Sequence, residues 1–159
     1  MRIDITKGKA SDRIAITRDD GSRAATQFPK KGRFPHDAVH FVVERAFGFK
    51  NAFWDHVAAG CHPEDIARLA AEAGHPSAKR GREPDDKIVE LIKAERLVEC
   101  FEAEMWGGES DLALLQSVAD AAMAQSKIQP FNLDADIVSA VRGALADLSR
   151  RWAGMDEGE

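Results

Sequence analysis

Ile3 and Ile5 alternate with polar neighbours, Ile14 and Ile16 do the same, and Asp19-Asp20-Gly21 interrupts the pattern before Arg23 to Phe28. A period of two puts alternate side chains on one face, so these residues predict a first strand followed by a hairpin over 12–28. Three short strands with one apolar face are not stable alone, so the sheet must lie on something else.

The cover comes next, where the period becomes helical. After a loop from Phe28 to Arg33, the pattern predicts a helix from Pro35 to Phe47 that stops at Gly48. A shorter helix, Asn51 to Ala59, follows with Asn51 as its N-cap and Gly60 as its stop, and a third runs from Pro63 to Ala73. Residues 74–84 hold Gly, Pro and charge with almost no apolar content and read as an exposed loop or hinge. Beyond them, Ile88, Val89, Leu91, Ile92, Leu97, Val98, Phe101 and Met105 predict a long amphipathic helix over Asp85–Trp106, ended by Gly107-Gly108. Ser110 can cap a helix over Asp111–Gln125, and Asp134 or Asn132 one over Ala135–Ala153. The tail from Gly154 to Glu159 is expected to fray.

The expected fold is α+β and mainly helical, a small N-terminal antiparallel sheet of about three strands followed by about six helices. Residues 1–159 are expected to form a single domain. The internal boundary falls at 74–84, between 1–73 (sheet plus short helices) and a helical hairpin or bundle over 85–154.

Composition narrows the function classes. With 44% hydrophobic residues in 159, the chain is long enough to bury a core without staples. Lys and Arg total 22 against 27 Asp and Glu, and a net charge of −5 gives no general attraction for nucleic acid or anionic lipid. Cys61 and Cys100 form no CxxC pair, the N-terminus shows no apolar leader, and no apolar run approaches the roughly 20 residues needed to cross a bilayer. The expectation is a cytoplasmic protein with reduced thiols, no membrane partner and no nucleic acid. Its partner is then another protein or a small-molecule ligand, with self-association through the later helices the route to a homodimer.

One segment carries candidate chemistry. On a helical wheel His36 stands at 0°, with His40 at about 40°, Glu44 at about 80° and Asp37 at about 100°, a polar stripe on an otherwise apolar helix expected to be largely buried. Histidines at i and i+4 can chelate one ion, and Asp37 directly after the first can act as a base on metal-bound water, as in a zincin HExxH motif with the acid one methylene shorter. Glu44 lies about 12 Å along the axis from His36, too far for both to close on one ion. Zinc, if bound, would need a third ligand, and His56, Cys61, His62 and His75 show no recognisable spacing. The preferred interpretation is therefore structural, and no cofactor is expected. Asp37 is then a first-turn acid favoured by the helix dipole, His36 is partly exposed, and His40 packs at the core margin with one nitrogen hydrogen-bonded.

Other features read as scaffold. Glu90, Glu95, Glu99, Glu102 and Glu104 suggest an exposed helix face with neighbours Lys87 and Arg96, rather than a carboxylate metal cluster. Lys30-Lys31-Gly32-Arg33 and Lys79-Arg80-Gly81-Arg82 read as solvated loops. Cys100 reads as a buried small hydrophobe, and Phe47, Phe49, Phe53 and Trp54 as core.

The N-terminal hairpin, the HDxxHFxVE segment at His36–Glu44 and the Gly48-Phe49 … Phe53-Trp54 pattern together resemble a widespread group of small uncharacterised bacterial proteins. The resemblance covers about the first 60 residues and implies neither a substrate nor a mechanism. The function expected first is a binding or interaction module. The alternative is a metal-dependent hydrolase-like protein with His36 and His40 as ligands and Asp37 as base, and it fails unless some further ligand comes within reach of the histidine pair.

Overall fold

The computed structural model describes residues 1–74 and 86–159. Apart from Gly74, the hinge expected at 74–84 lies outside them, and so do His75 and the basic cluster Lys79–Arg82. The chain runs β1 (Arg2–Thr6), β2 (Ser11–Thr17), β3 (Arg23–Pro29), α1 (His36–Phe47), α2 (Phe53–Ala58), α3 (Pro63–Gly74), α4 (Asp86–Gly107), α5 (Leu112–Gln125) and α6 (Ala135–Ala153). It is an α+β fold, mainly helical, as the pattern predicted.

The sheet is an antiparallel meander in the order β1-β2-β3. Its register sets Ile5 and Thr26 beside Ile14, and Ile3 and Ala24 beside Ile16, so one face carries the apolar row. That face packs on Phe53, Trp54, Val57, Ile66 and Leu91. A second core joins Val39, Val42 and Val43 of α1 to Val98 and Phe101 of α4, Leu115 of α5 and Val141 of α6. Helix α4 is a common wall: Leu91 belongs to the sheet-side core and Ile92, Leu97 and Val98 to the helical one. No helix among the described residues is long and apolar enough to cross a membrane.

Helix α2 is only six residues long, too short to hold itself in water. Asn51 was expected to cap it, but Ala52 is the N-cap residue and no cap side chain bonds there. The cap comes from α1 instead: the Glu44 carboxylate accepts from the backbone N–H of Phe53 at 3.3 Å and of Trp54 at 2.9 Å. At the other end the buried Arg18 guanidinium donates to the carbonyls of Val57 at 2.6 Å and Cys61 at 3.0 Å. An anion at the N-terminus and a cation at the C-terminus both oppose the helix dipole in the favourable sense.

Several local expectations shift. Phe41 is 38% exposed while Glu44 is 5% exposed, because the buried arc of α1 follows Val39, Val42 and Val43, and Glu44 turns toward the start of α2. Asp111, not Ser110, caps α5 by accepting from Leu114 N–H; Asp134 caps α6 as expected. The tail is pinned rather than frayed: the Lys7 ammonium donates to the carbonyls of Trp152 and Met155, and the Lys7 backbone exchanges hydrogen bonds with Gly158 and Glu159.

Candidate metal centre

Pro35 begins α1 without a side-chain cap, and the Trp54 indole N–H donates to the Asp37 carbonyl at 3.1 Å, which fixes the first turn against α2. At i and i+4 the His36 and His40 rings then lie edge to face with centroids 4.8 Å apart. Helix α4 packs across them and supplies what the helix itself could not. Glu95 and Glu102 are seven residues apart and fall on the same stripe of α4 as the fully buried Leu91 and Val98, all within about 60° of arc. They are therefore turned into the interface with α1, against the expectation that the glutamates of this helix form an exposed face. That expectation holds for Glu99, which pairs with Arg96. Glu90 caps the α1–α2 turn through the N–H groups of Lys50 and Asn51, and Glu104 binds Arg142.

The histidines use their two nitrogens in the same way. His36 Nδ1 lies 2.9 Å from Glu102 Oε1 and His40 Nδ1 lies 2.9 Å from Glu44 Oε1. Both Nε2 atoms face Glu95, at 3.8 Å from Oε1 for His36 and 3.0 Å from Oε2 for His40. His40 is thus bonded at both nitrogens and buried, where one bond at the core margin was expected. His36 is nearly as enclosed, with its side chain 13% exposed.

His36, His40 and Glu95 bring three donor atoms within 4.8 Å of one another, so the group can hold a metal ion. Donors bound at 2.0–2.1 Å around a tetrahedral zinc stand about 3.3 Å apart; Glu95 meets His36 through Oε1 at 3.8 Å and His40 through Oε2 at 3.0 Å, so closing on an ion would need only small side-chain shifts. Glu44 takes no place in the group, as its axial distance required; it holds His40 from behind. His56, Cys61 and His62 stay out of it too. A third donor is present nonetheless, 55 residues beyond His40 in the chain.

Electrostatics follow from the geometry. Burial alone would lower the His40 pKa, but hydrogen bonds to Glu44 and Glu95 and their charges raise it to about 9. Burial would raise that of Glu95, and the His40 bond, with the charges of His40, His36 and Lys31, brings it down to about 2. Asp37 is pushed above the ordinary carboxylate range by burial, against the opposing pull of His36, His40 and Lys31. Asp37, His36, His40 and Glu95 line a cavity of about 200 Å³ whose walls also include Ile5, Ile14, Phe28, Phe53 and Leu91.

Cys100 is buried beside Phe101, with burial raising its thiol to about 11, and Cys61 is exposed; neither forms a disulfide. Comparison with protein-family models, with curated protein sequences and with solved structures gives no match.

Proposed function

We propose that this chain is a binding module for a divalent transition metal such as zinc, held by Nε2 of His36, Nε2 of His40 and the Glu95 carboxylate. The observation that carries this is the common orientation of the two rings. Each turns Nε2 to the shared carboxylate and gives Nδ1 to a carboxylate of its own, Glu102 or Glu44. Ligating histidines in metal sites are oriented in this manner, because a carboxylate on the far nitrogen fixes the tautomer and strengthens the donor. Two imidazoles and one carboxylate are a recurrent set for zinc and for non-haem iron, and they leave coordination positions open toward the cavity. The competing account is a metal-free ion-pair clamp joining α1 to α4.

Elemental analysis of protein purified without an affinity tag separates the two. Stoichiometric zinc in the parent, lost both in the His36→Ala, His40→Ala double variant and in Glu95→Ala, is the expected result. No metal in the parent, or metal retained by the variants, sinks the proposal.

A metal-dependent hydrolase-like activity stands second, favoured by the position of Asp37 on the wall of the same cavity and by its raised pKa. A carboxylate with elevated basicity beside a metal-bound water suits proton abstraction. We further propose a cytoplasmic protein, consistent with two unpaired cysteines, and kinship with the small bacterial proteins that share the HDxxHFxVE segment.

A further inference from the structure

The cavity beside the histidines is lined by both charged and apolar side chains. Ile5 and Ile14 of the sheet, with Phe28, Phe53 and Leu91, form walls that offer an occupant no hydrogen bonds from their side chains. Two lysines line the cavity along with the histidine cluster, and they are not equivalent. The Lys30 ammonium lies 3.6 Å from Asp12, whereas Lys31 makes no ion pair among the described residues. Lys31 is an exposed residue whose side chain nonetheless lines the cavity with Asp37 and Glu95, and its charge acts on both.

Resting on the metal reading above, we propose that this cavity binds a short-chain monocarboxylate. The carboxylate spans the metal and Lys31, and the hydrocarbon chain lies between the sheet and Phe53. Charge limits the ligand to a monoanion. Lys30 is paired with Asp12, which leaves Lys31 as the cavity-lining ammonium without an ion-pair partner among the described residues. A second negative charge on the far end of the chain would have to lie among Ile5, Ile14, Phe28, Phe53 and Leu91, at a cost of several kcal/mol for an unpaired ion. Size limits it further. Apolar cavities of about 150 Å³ hold benzene, so about 200 Å³ takes a chain of about six carbons. A ligand without the acid would leave Lys31 and the open coordination positions to water.

The test uses cobalt(II)-loaded protein, because its visible absorption reports directly on what enters the coordination sphere. Hexanoate is expected to shift the cobalt bands and to bind about tenfold or more tightly than 1-hexanol, acetate or adipate. Lys31→Ala, a change at an exposed side chain, is expected to weaken hexanoate about fivefold while cobalt stoichiometry stays unchanged. Protein that holds cobalt but shows unmoved bands with hexanoate, equal affinity for 1-hexanol, or no effect of Lys31→Ala overturns the ligand and leaves the metal site standing. Failure of the parent to take up cobalt, seen before any hexanoate is added, removes both.

Discussion

Glu44→Ala is the sharpest perturbation of this molecule, because one buried carboxylate serves both the candidate site and the fold. Its oxygens take His40 Nδ1 at 2.9 Å, the Trp54 N–H at 2.9 Å and the Phe53 N–H at 3.3 Å, in a residue 5% exposed. A hydrogen bond to a charged group contributes about 1.5–3 kcal/mol net, and a buried donor left without an acceptor costs about 1–3 kcal/mol. The 3.3 Å bond belongs at the weak end. Releasing the glutamate side chain returns up to about 2 kcal/mol of rotamer entropy. The balance is a loss of about 4 kcal/mol, a large part of the 5–15 kcal/mol that a domain of this size holds.

Urea unfolding followed by circular dichroism should show the midpoint falling at unchanged slope, with a drop in melting temperature of about 8–16 °C. Glu44→Gln should lose about half as much, since the amide keeps one acceptor and sets an NH2 against a donor. Glu99→Ala, which breaks only an exposed i, i+3 pair with Arg96, is the control and should cost under about 1 kcal/mol. Amide exchange at Phe53 and Trp54 should quicken in the alanine variant more than exchange in α5. A Glu44→Ala loss below about 1 kcal/mol would refute the claim that α2 is capped from α1.

Two further outcomes follow from the pKa shifts. His40 is raised from 6.5 to about 9, so its contribution is complete below pH 6.5 and is lost as pH rises through 9; Glu95, lowered from 4.5 to about 2, contributes above pH 4.5 and loses that as pH falls through 2. Metal-free parent minus His40→Ala should therefore lose about 3 kcal/mol of stability between pH 6.5 and 9, and a difference that is flat or rises there contradicts the clamp. Iodoacetamide at mildly alkaline pH should label the exposed Cys61 and spare Cys100, whose buried thiol is held at about 11. Mass spectrometry of the native protein showing two adducts would count against the packing of α4.

The strands and helices were legible because each follows from a local period and its punctuation: the isoleucine alternation, Asp19-Asp20-Gly21, Gly48, Gly107-Gly108. The histidine half of the site was legible for the same reason, since His36 and His40 belong to one helix. Its glutamate half was not, because which face of α4 meets α1 is a tertiary fact. Grouping five glutamates as one charged face hid a signal that was present. Glu95 and Glu102 fall in line with Leu91 and Val98, whereas Glu90, Glu99 and Glu104 do not. A carboxylate set into an apolar stripe needs a partner in the core, and His40 and His36 are those partners. The cap on α2 was missed on similar grounds: a search among the residues just before Phe53 cannot find a carboxylate nine positions back on a different helix.

In the proposed metal site a proton and a metal ion would compete for Nε2 of His40. Without metal, an acceptor at each ring nitrogen favours the imidazolium, and the hydrogen between Nε2 and Glu95 Oε2 holds α1 against α4. A metal held there would need the neutral ring at Nε2, so its uptake would release a proton and would strengthen as pH rises toward 9. The Nδ1–Glu44 bond, and with it the cap on α2, needs no change between the two states. Glu44 and Glu102 hold the two rings at Nδ1, which leaves both Nε2 atoms facing Glu95. Small zinc domains depend on the metal to fold; this chain has two apolar cores and caps at both ends of α2, so a chelator is expected to leave its circular dichroism and urea midpoint nearly unchanged.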